Sequence, residues 1–92
     1  MMVDNETRLD TTNVGPGLRL IYHYTLINYS SSEIDQNVIK NQFRPELSKR
    51  VCSRENIKKL LQNGVVYVYS YFGNNDVEIT KIELDKNNCN LP

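Results

Sequence analysis

A serine nucleophile needs an imidazole to take its proton and a carboxylate to orient that imidazole, and this chain has one histidine, His23. His23 sits inside a run of apolar and aromatic residues, where a structural or incidental role is the first reading. A hydrolase using it as base would need a deep pocket around it. The two cysteines, Cys52 and Cys89, have neither a CxxC partner nor a histidine pair nearby, so no metal site is expected. Gly15-Pro16-Gly17 lacks the spacing of a phosphate-cradling loop and reads as a turn. Asp4, Glu6 and Asp10, with Arg8 among them, would need a buried member to do acid/base work, and they read as a solvated edge. Asn5-Glu6-Thr7 and Asn28-Tyr29-Ser30 match the glycosylation triplet, a chance event in so asparagine-rich a chain. No cofactor is expected, and an enzyme is the least supported class.

Two features survive. Between Lys40 and Lys59 the cations Lys40, Arg44, Lys49, Arg50, Arg54, Lys58 and Lys59 stand against Glu46 and Glu55 alone. Such a segment reads as a solvated helix face or as a surface for an anionic partner. In Val65 to Phe72, Tyr67, Tyr69 and Tyr71 alternate with Val66, Val68 and Ser70, so one side of a strand is a row of tyrosines. If helices cover the valine side, the row joins Ile21, Ile27 and His23 on an open, ligand-binding sheet face. The alternative is that the tyrosines line the core with their hydroxyls at its rim.

The elements that must position these residues follow from local pattern. Leu18 to Asn28 is dense in β-branched and aromatic residues and reads as a strand. Its face of Leu18, Leu20, Tyr22, Tyr24 and Leu26 is the better core. Glu6 to Val14 would pair with it as a polar edge strand through the Gly15-Pro16-Gly17 turn. Ser30-Ser-Ser-Glu33 is a capping box, predicting a helix that carries Ile34, Val38, Ile39 and Phe43 until Pro45 stops or kinks it. A second segment carries Leu47 and Val51. A third, capped by Ser53, carries Ile57, Leu60 and Leu61 and stops at Gly64. Gly73-Asn-Asn-Asp76 reads as a hairpin loop into Val77 to Leu84, where a change of apolar parity predicts a bulge near Thr80 or Lys81. Strand, strand, helices, strand, strand predicts an α+β fold: a four-stranded antiparallel sheet with two or three helices on one face. Leu20, Leu26, Ile34, Val38, Leu60, Leu61, Val66 and Val68 are the expected core.

Ninety-two residues make one domain. Eleven Lys and Arg against eleven Asp and Glu leave no net charge, which argues against nucleic acid as a partner. No apolar run approaches the roughly 20 residues that span a bilayer, so no transmembrane segment is expected and the chain reads as soluble. Met1-Met2-Val3 runs straight into Asp4, Asn5 and Glu6 without a secretory signal, leaving a cytosolic protein or a piece of a longer product as the alternatives.

The succession Val3-Asp4-x-x-Thr7-Arg8-x-Asp10, Gly15-Pro16-Gly17, Tyr22-x-Tyr24-Thr25-Leu26-x-Asn28, Val51-Cys52, Gly64-Val65, Tyr69-x-Tyr71 and Cys89 resembles a group of small uncharacterised bacterial envelope domains. The resemblance spans nearly the whole chain and carries no catalytic signature. It implies residues 1–92 as the soluble C-terminal part of a longer precursor, periplasmic or membrane-anchored and facing the periplasm. It also implies a Cys52–Cys89 disulfide, where the residues alone allow two free thiols. The expected function is a noncatalytic binding or assembly module at the bacterial envelope, whose partner is another protein or an envelope component. Its candidate binding face is Tyr67, Tyr69, Tyr71, Ile21 and His23. The alternative is a binder of single-stranded nucleic acid or another polyanion, using the tyrosine row and the basic helical segment.

Overall fold

Gly15-Pro16-Gly17 does reverse the chain, with Gly17 at φ +73°, and joins β1 (Thr7–Gly15) to β2 (Arg19–Leu26) as an antiparallel pair. The computed structural model describes residues 1–90. After β2 come α1 (Gln36–Cys52), α2 (Glu55–Gln62), β3 (Val66–Gly73), β4 (Glu78–Leu84) and a short 3₁₀ helix, Lys86–Cys89. The four strands form one sheet in the order β1-β2-β3-β4.

The sheet is mixed, not antiparallel throughout, because β2 and β3 run parallel. The helical segment carries the chain from the end of β2 back to its start, where Val66 N donates to Leu18 O at 3.0 Å. A strand entering there can only run the same way as β2. The outer pairs, β1–β2 and β3–β4, are the antiparallel hairpins expected. The bulge in β4 falls at Ile79, just before the expected Thr80 or Lys81, where Tyr71 faces Thr80 and Phe72 faces Glu78. A second bulge sits at Asp10 in β1.

Local chemistry explains where the helices depart from expectation. The Ser30–Glu33 box closes a turn instead of a helix: Ser30 N donates to the Glu33 carboxylate at 2.8 Å, and α1 begins at Gln36 with Asp35 accepting from Asn37 N at 2.7 Å. Pro45 lies inside the 17-residue α1 and does not end it. The carbonyl its missing N–H would have served belongs to Asn41, and both residues are exposed, so water can take that bond. Ser53 closes α1, its hydroxyl donating to Arg50 O at 2.9 Å, and does not cap α2. Gly64, at φ +96°, ends α2 as expected.

Both helices pack on one face of the sheet. Ile39, Leu47 and Val51 of α1 and Leu61 of α2 share a buried cluster with Leu26, Tyr67, Tyr69, Tyr71, Ile82 and Leu84. Of the expected core, Leu26, Leu61 and Val68 are buried, and Leu20 and Ile34 pack at its margin. Val66 and Val68 belong to the opposite face, since their neighbours Tyr67 and Tyr69 point at the helices. Val38 and Leu60 are exposed, because Ile39 and Leu61 are the residues that α1 and α2 turn inward.

The end of the chain is fastened to the helical layer. Asp85 caps the 3₁₀ helix, accepting from Asn87 N at 2.9 Å, and places Cys89 beside the last turn of α1. Cys52 and Cys89 are disulfide-bonded, with Cα atoms 5.4 Å apart. No helix among the described residues is long and apolar enough to cross a membrane.

Candidate ligand-binding groove

Register decides where the tyrosines go. In the parallel β2–β3 pair Leu20 faces Tyr67, Tyr22 faces Tyr69 and Tyr24 faces Tyr71, so two rows of tyrosines stand side by side on the helix-covered face. Their rings stack at 5.3 Å for Tyr22–Tyr69 and 5.3 Å for Tyr24–Tyr71, and Phe43 of α1 adds a ring 5.2 Å from Tyr71. Offset stacks of this kind contribute beyond the area they bury.

The placement corrects the expected binding face. Tyr67, Tyr69 and Tyr71 are 4%, 7% and 5% exposed and lie under the helices, whereas Ile21 and His23 point from the other side of the sheet. Tyr22, Tyr24, Tyr67, Tyr69 and Tyr71 therefore belong to the core-lining alternative, with their hydroxyls at the rim. A stacking platform for nucleic-acid bases is lost with them, since the rings stack on one another.

Helix α1 lies over the β4 side of the sheet, which leaves Tyr22 and Tyr24 of β2 only half-covered. Residues at the start of the chain close part of this gap by folding back along β1, where Leu9 N donates to Met1 O at 2.7 Å. Between them remains a cavity of about 250 Å³. Tyr22, Tyr24, Tyr67 and Tyr69 line it, with Val51 and Ile57 from the helices. Arg50 and Arg54, from the junction of α1 and α2, complete its wall. A smaller cavity of about 90 Å³ adjoins it through Tyr24 and Arg50 and reaches Tyr71, Phe43, Asp4 and Glu46.

Among the described residues the phenols have no hydrogen-bond partner. Among the described residues the only hydroxyl both sealed from water and unpaired is that of Ser70, so the tyrosine oxygens are not sealed from water. Burial, then the neighbouring phenols, pushes the Tyr69 pKa far above its ordinary value. Burial also raises Tyr71, Tyr67 and Tyr24; at Tyr71 and Tyr24 the positive charge of Arg50 pulls the other way. These side chains stay neutral hydrogen-bond donors throughout the physiological range.

An alkaline transition should follow. A phenol that holds its proton more tightly in the folded state than in the unfolded chain contributes stability that is complete below about pH 10. That stability is lost as pH rises toward the folded pKa, by about 1.4 kcal/mol per pH unit for each phenol. Ultraviolet titration of phenolate, with circular dichroism in parallel, should show part of the tyrosine ionising only as the fold is lost. Smooth ionisation of every tyrosine with the fold intact would contradict the arrangement.

The seven cations from Lys40 to Lys59 do not share one face. At about 100° per residue, Arg44 and Arg50 fall on opposite flanks of α1 and Lys49 points away from the core. Lys58 pairs with Glu55 at 3.3 Å. Lys40 is half-buried and Lys59 exposed, which leaves Arg50 and Arg54 as the members that converge on the groove.

On the helix-free face, His23 faces Ser70 across β2–β3, and its ring lies 5.5 Å from that of Phe72. Burial opposes ionisation of Asp10, yet bonds from Thr25 and Arg8 leave its pKa below the ordinary carboxylate value. The hollow beside His23, about 220 Å³, also touches Asp10, Thr25 and Asp76. Ser70 is fully buried, so its hydroxyl is not presented to any substrate.

Pattern reading found Arg50, Arg54, Tyr67 and Tyr69 but treated Tyr22 and Tyr24 only as core. The signal was present in the matching spacing of Tyr22-x-Tyr24 and Tyr69-x-Tyr71, which an in-register pairing of those strands brings together.

No protein-family model and no curated protein matches the chain. Among solved structures it is similar to a Pseudomonas aeruginosa protein described as a candidate secreted protein, at 19% identity and a TM-score of 0.80. The match covers 97% of this chain and 77% of that one. At that identity the likeness is one of fold.

Proposed function

We propose that this protein is a noncatalytic binding module that works outside the cytoplasm, as in a bacterial periplasm, and that its site is the tyrosine–arginine groove. The observation that carries the reading is the convergence of four tyrosine and two arginine side chains on the wall of one cavity. Phenol hydroxyls at a cavity rim that are not sealed from water can exchange that water for a ligand. A concave, partly apolar cavity with a few converging polar groups is the ordinary form of a small-molecule site. The Cys52–Cys89 bond supports an oxidising compartment, and the fold shared with a candidate secreted protein agrees with it.

The test is an NMR screen of the oxidised, isotope-labelled protein against small soluble compounds of varied charge and polarity. Shifts should concentrate on Tyr22, Tyr24, Tyr69, Arg50 and Arg54. Near-UV circular dichroism should change with them, because the chain has no tryptophan and every tyrosine except Tyr29 lines the two cavities. Shifts confined to His23 and Phe72 would move the site to the open face, and a groove that responds to no compound would remove it.

A further inference from the structure

We infer that the groove takes a small organic anion, a carboxylate or phosphate monoester on a compact apolar body, with Arg50 and Arg54 receiving the charged head. This rests on the groove being a binding site and names the class of its ligand. The ion pairs among the described residues are Arg8–Asp10, Arg19–Glu83, Lys58–Glu55 and Lys81–Glu78, and neither Arg50 nor Arg54 is in one. Two arginine side chains that line a cavity, both exposed and neither in an ion pair, leave positive charge at its wall without a carboxylate partner among the described residues. An oxyanion answers it with charge-assisted, often bidentate, hydrogen bonds.

The acids nearby do not supply that partner. Asp4, whose Oδ1 accepts from Glu6 N and Thr7 N at 2.8 and 2.7 Å, borders only the smaller adjoining cavity and is in no ion pair with either arginine. Glu46 borders only the smaller adjoining cavity, so it directs an anionic head toward the Arg54 end of the larger one. Tyr22 and Tyr24 stand alongside with phenols able to donate, and Val51 and Ile57 offer an apolar wall to the rest of the ligand. The volume of about 250 Å³ is below the roughly 300 to 1,000 Å³ of drug-sized sites, so the fit is to a single ring or a short chain.

Matched probes test the charge separately from the groove. Phenylacetate, phenyl phosphate and neutral phenylacetamide are titrated into the oxidised protein near physiological salt and followed by NMR. The acids should bind at least tenfold more tightly than the amide, and the tighter of the two identifies the head group. Arg50→Gln should weaken the acids by about 10- to 100-fold, with near-UV circular dichroism of the free protein unchanged. Arg54→Gln should act in the same direction, Arg50→Lys should recover part of the loss, and Lys59→Gln on the outer surface should change nothing.

An amide that binds in the groove as well as the acids would overturn the anion and leave the groove reading standing. So would equal weakening by Arg50→Gln and Lys59→Gln, which would reduce the effect to net charge. If all three probes leave the groove signals unmoved while neutral compounds of the wider screen shift them, the anion alone fails. If nothing shifts them, both readings fail.

Discussion

Replacing Cys52 and Cys89 together by serine should lower the unfolding free energy by about 3.8 kcal/mol, the chain-entropy value for a closed loop of 37 residues. Against the roughly 5 to 15 kcal/mol that holds a typical domain together, this is a large share. For a domain of this size it corresponds to a fall in Tm of roughly 15 to 30 °C. The loss is large because the bond is the covalent tie between the last turn of α1 and a 3₁₀ helix that buries none of its residues. Urea denaturation of the double variant and of the oxidised native protein measures it, and the m-value should rise when the cross-link no longer restrains the unfolded chain. A loss below about 1 kcal/mol would mean that native strain offsets the entropy. Alkylation without reductant, on protein extracted from its native compartment, should add no mass. Two added alkyl groups would refute both the bond and the extracytoplasmic assignment.

The second large effect separates neighbouring leucines. Leu61→Ala should destabilise by about 3 to 5 kcal/mol, since Leu61 is fully buried between α2 and the sheet and its loss leaves a cavity in a small core. Leu60→Ala should cost less than about 1.5 kcal/mol, because Leu60 is 41% exposed and lies in the shallow apolar hollow beside Leu18 and Val14. Both leucines fit the apolar spacing of the helix, so the amino-acid pattern treats them alike. Equal losses would mean that α2 is rotated about its axis from the orientation described.

Much of this molecule is legible without coordinates because the signals are local. A Gly-Pro-Gly turn, a run of alternating apolar residues and a glycine after a helix each act over a few residues, and both hairpins, the helical middle and the stop at Gly64 appear where those signals stand. Capping was legible only in part. Ser30 and Glu33 do bond, but Asp35 competes for the helix start, and the choice depends on which turn lets Ile39 reach the core. Pro45 misleads in the same way: packing of Leu47 and Val51 continues a helix that backbone chemistry alone would break.

The site shows where local reading ends. Alternation at period 2 already puts Tyr67, Tyr69 and Tyr71 on one side of their strand, and Tyr22 and Tyr24 on one side of theirs. Which side the helices cover, and whether β2 meets β3 parallel or antiparallel, depends on contacts between residues 47 positions apart, such as Tyr22 with Tyr69 and Tyr24 with Tyr71. Composition likewise supplied the arginines but not their direction, since α1 and the α1–α2 junction turn only Arg50 and Arg54 to the groove. The sequence by itself determined the elements, the spacing of the tyrosines and the presence of two cysteines. The tertiary structure alone decided that the tyrosine rows meet under the helices, because the return of the helical segment to the start of β2 sets the direction of β3 and with it every cross-strand neighbour.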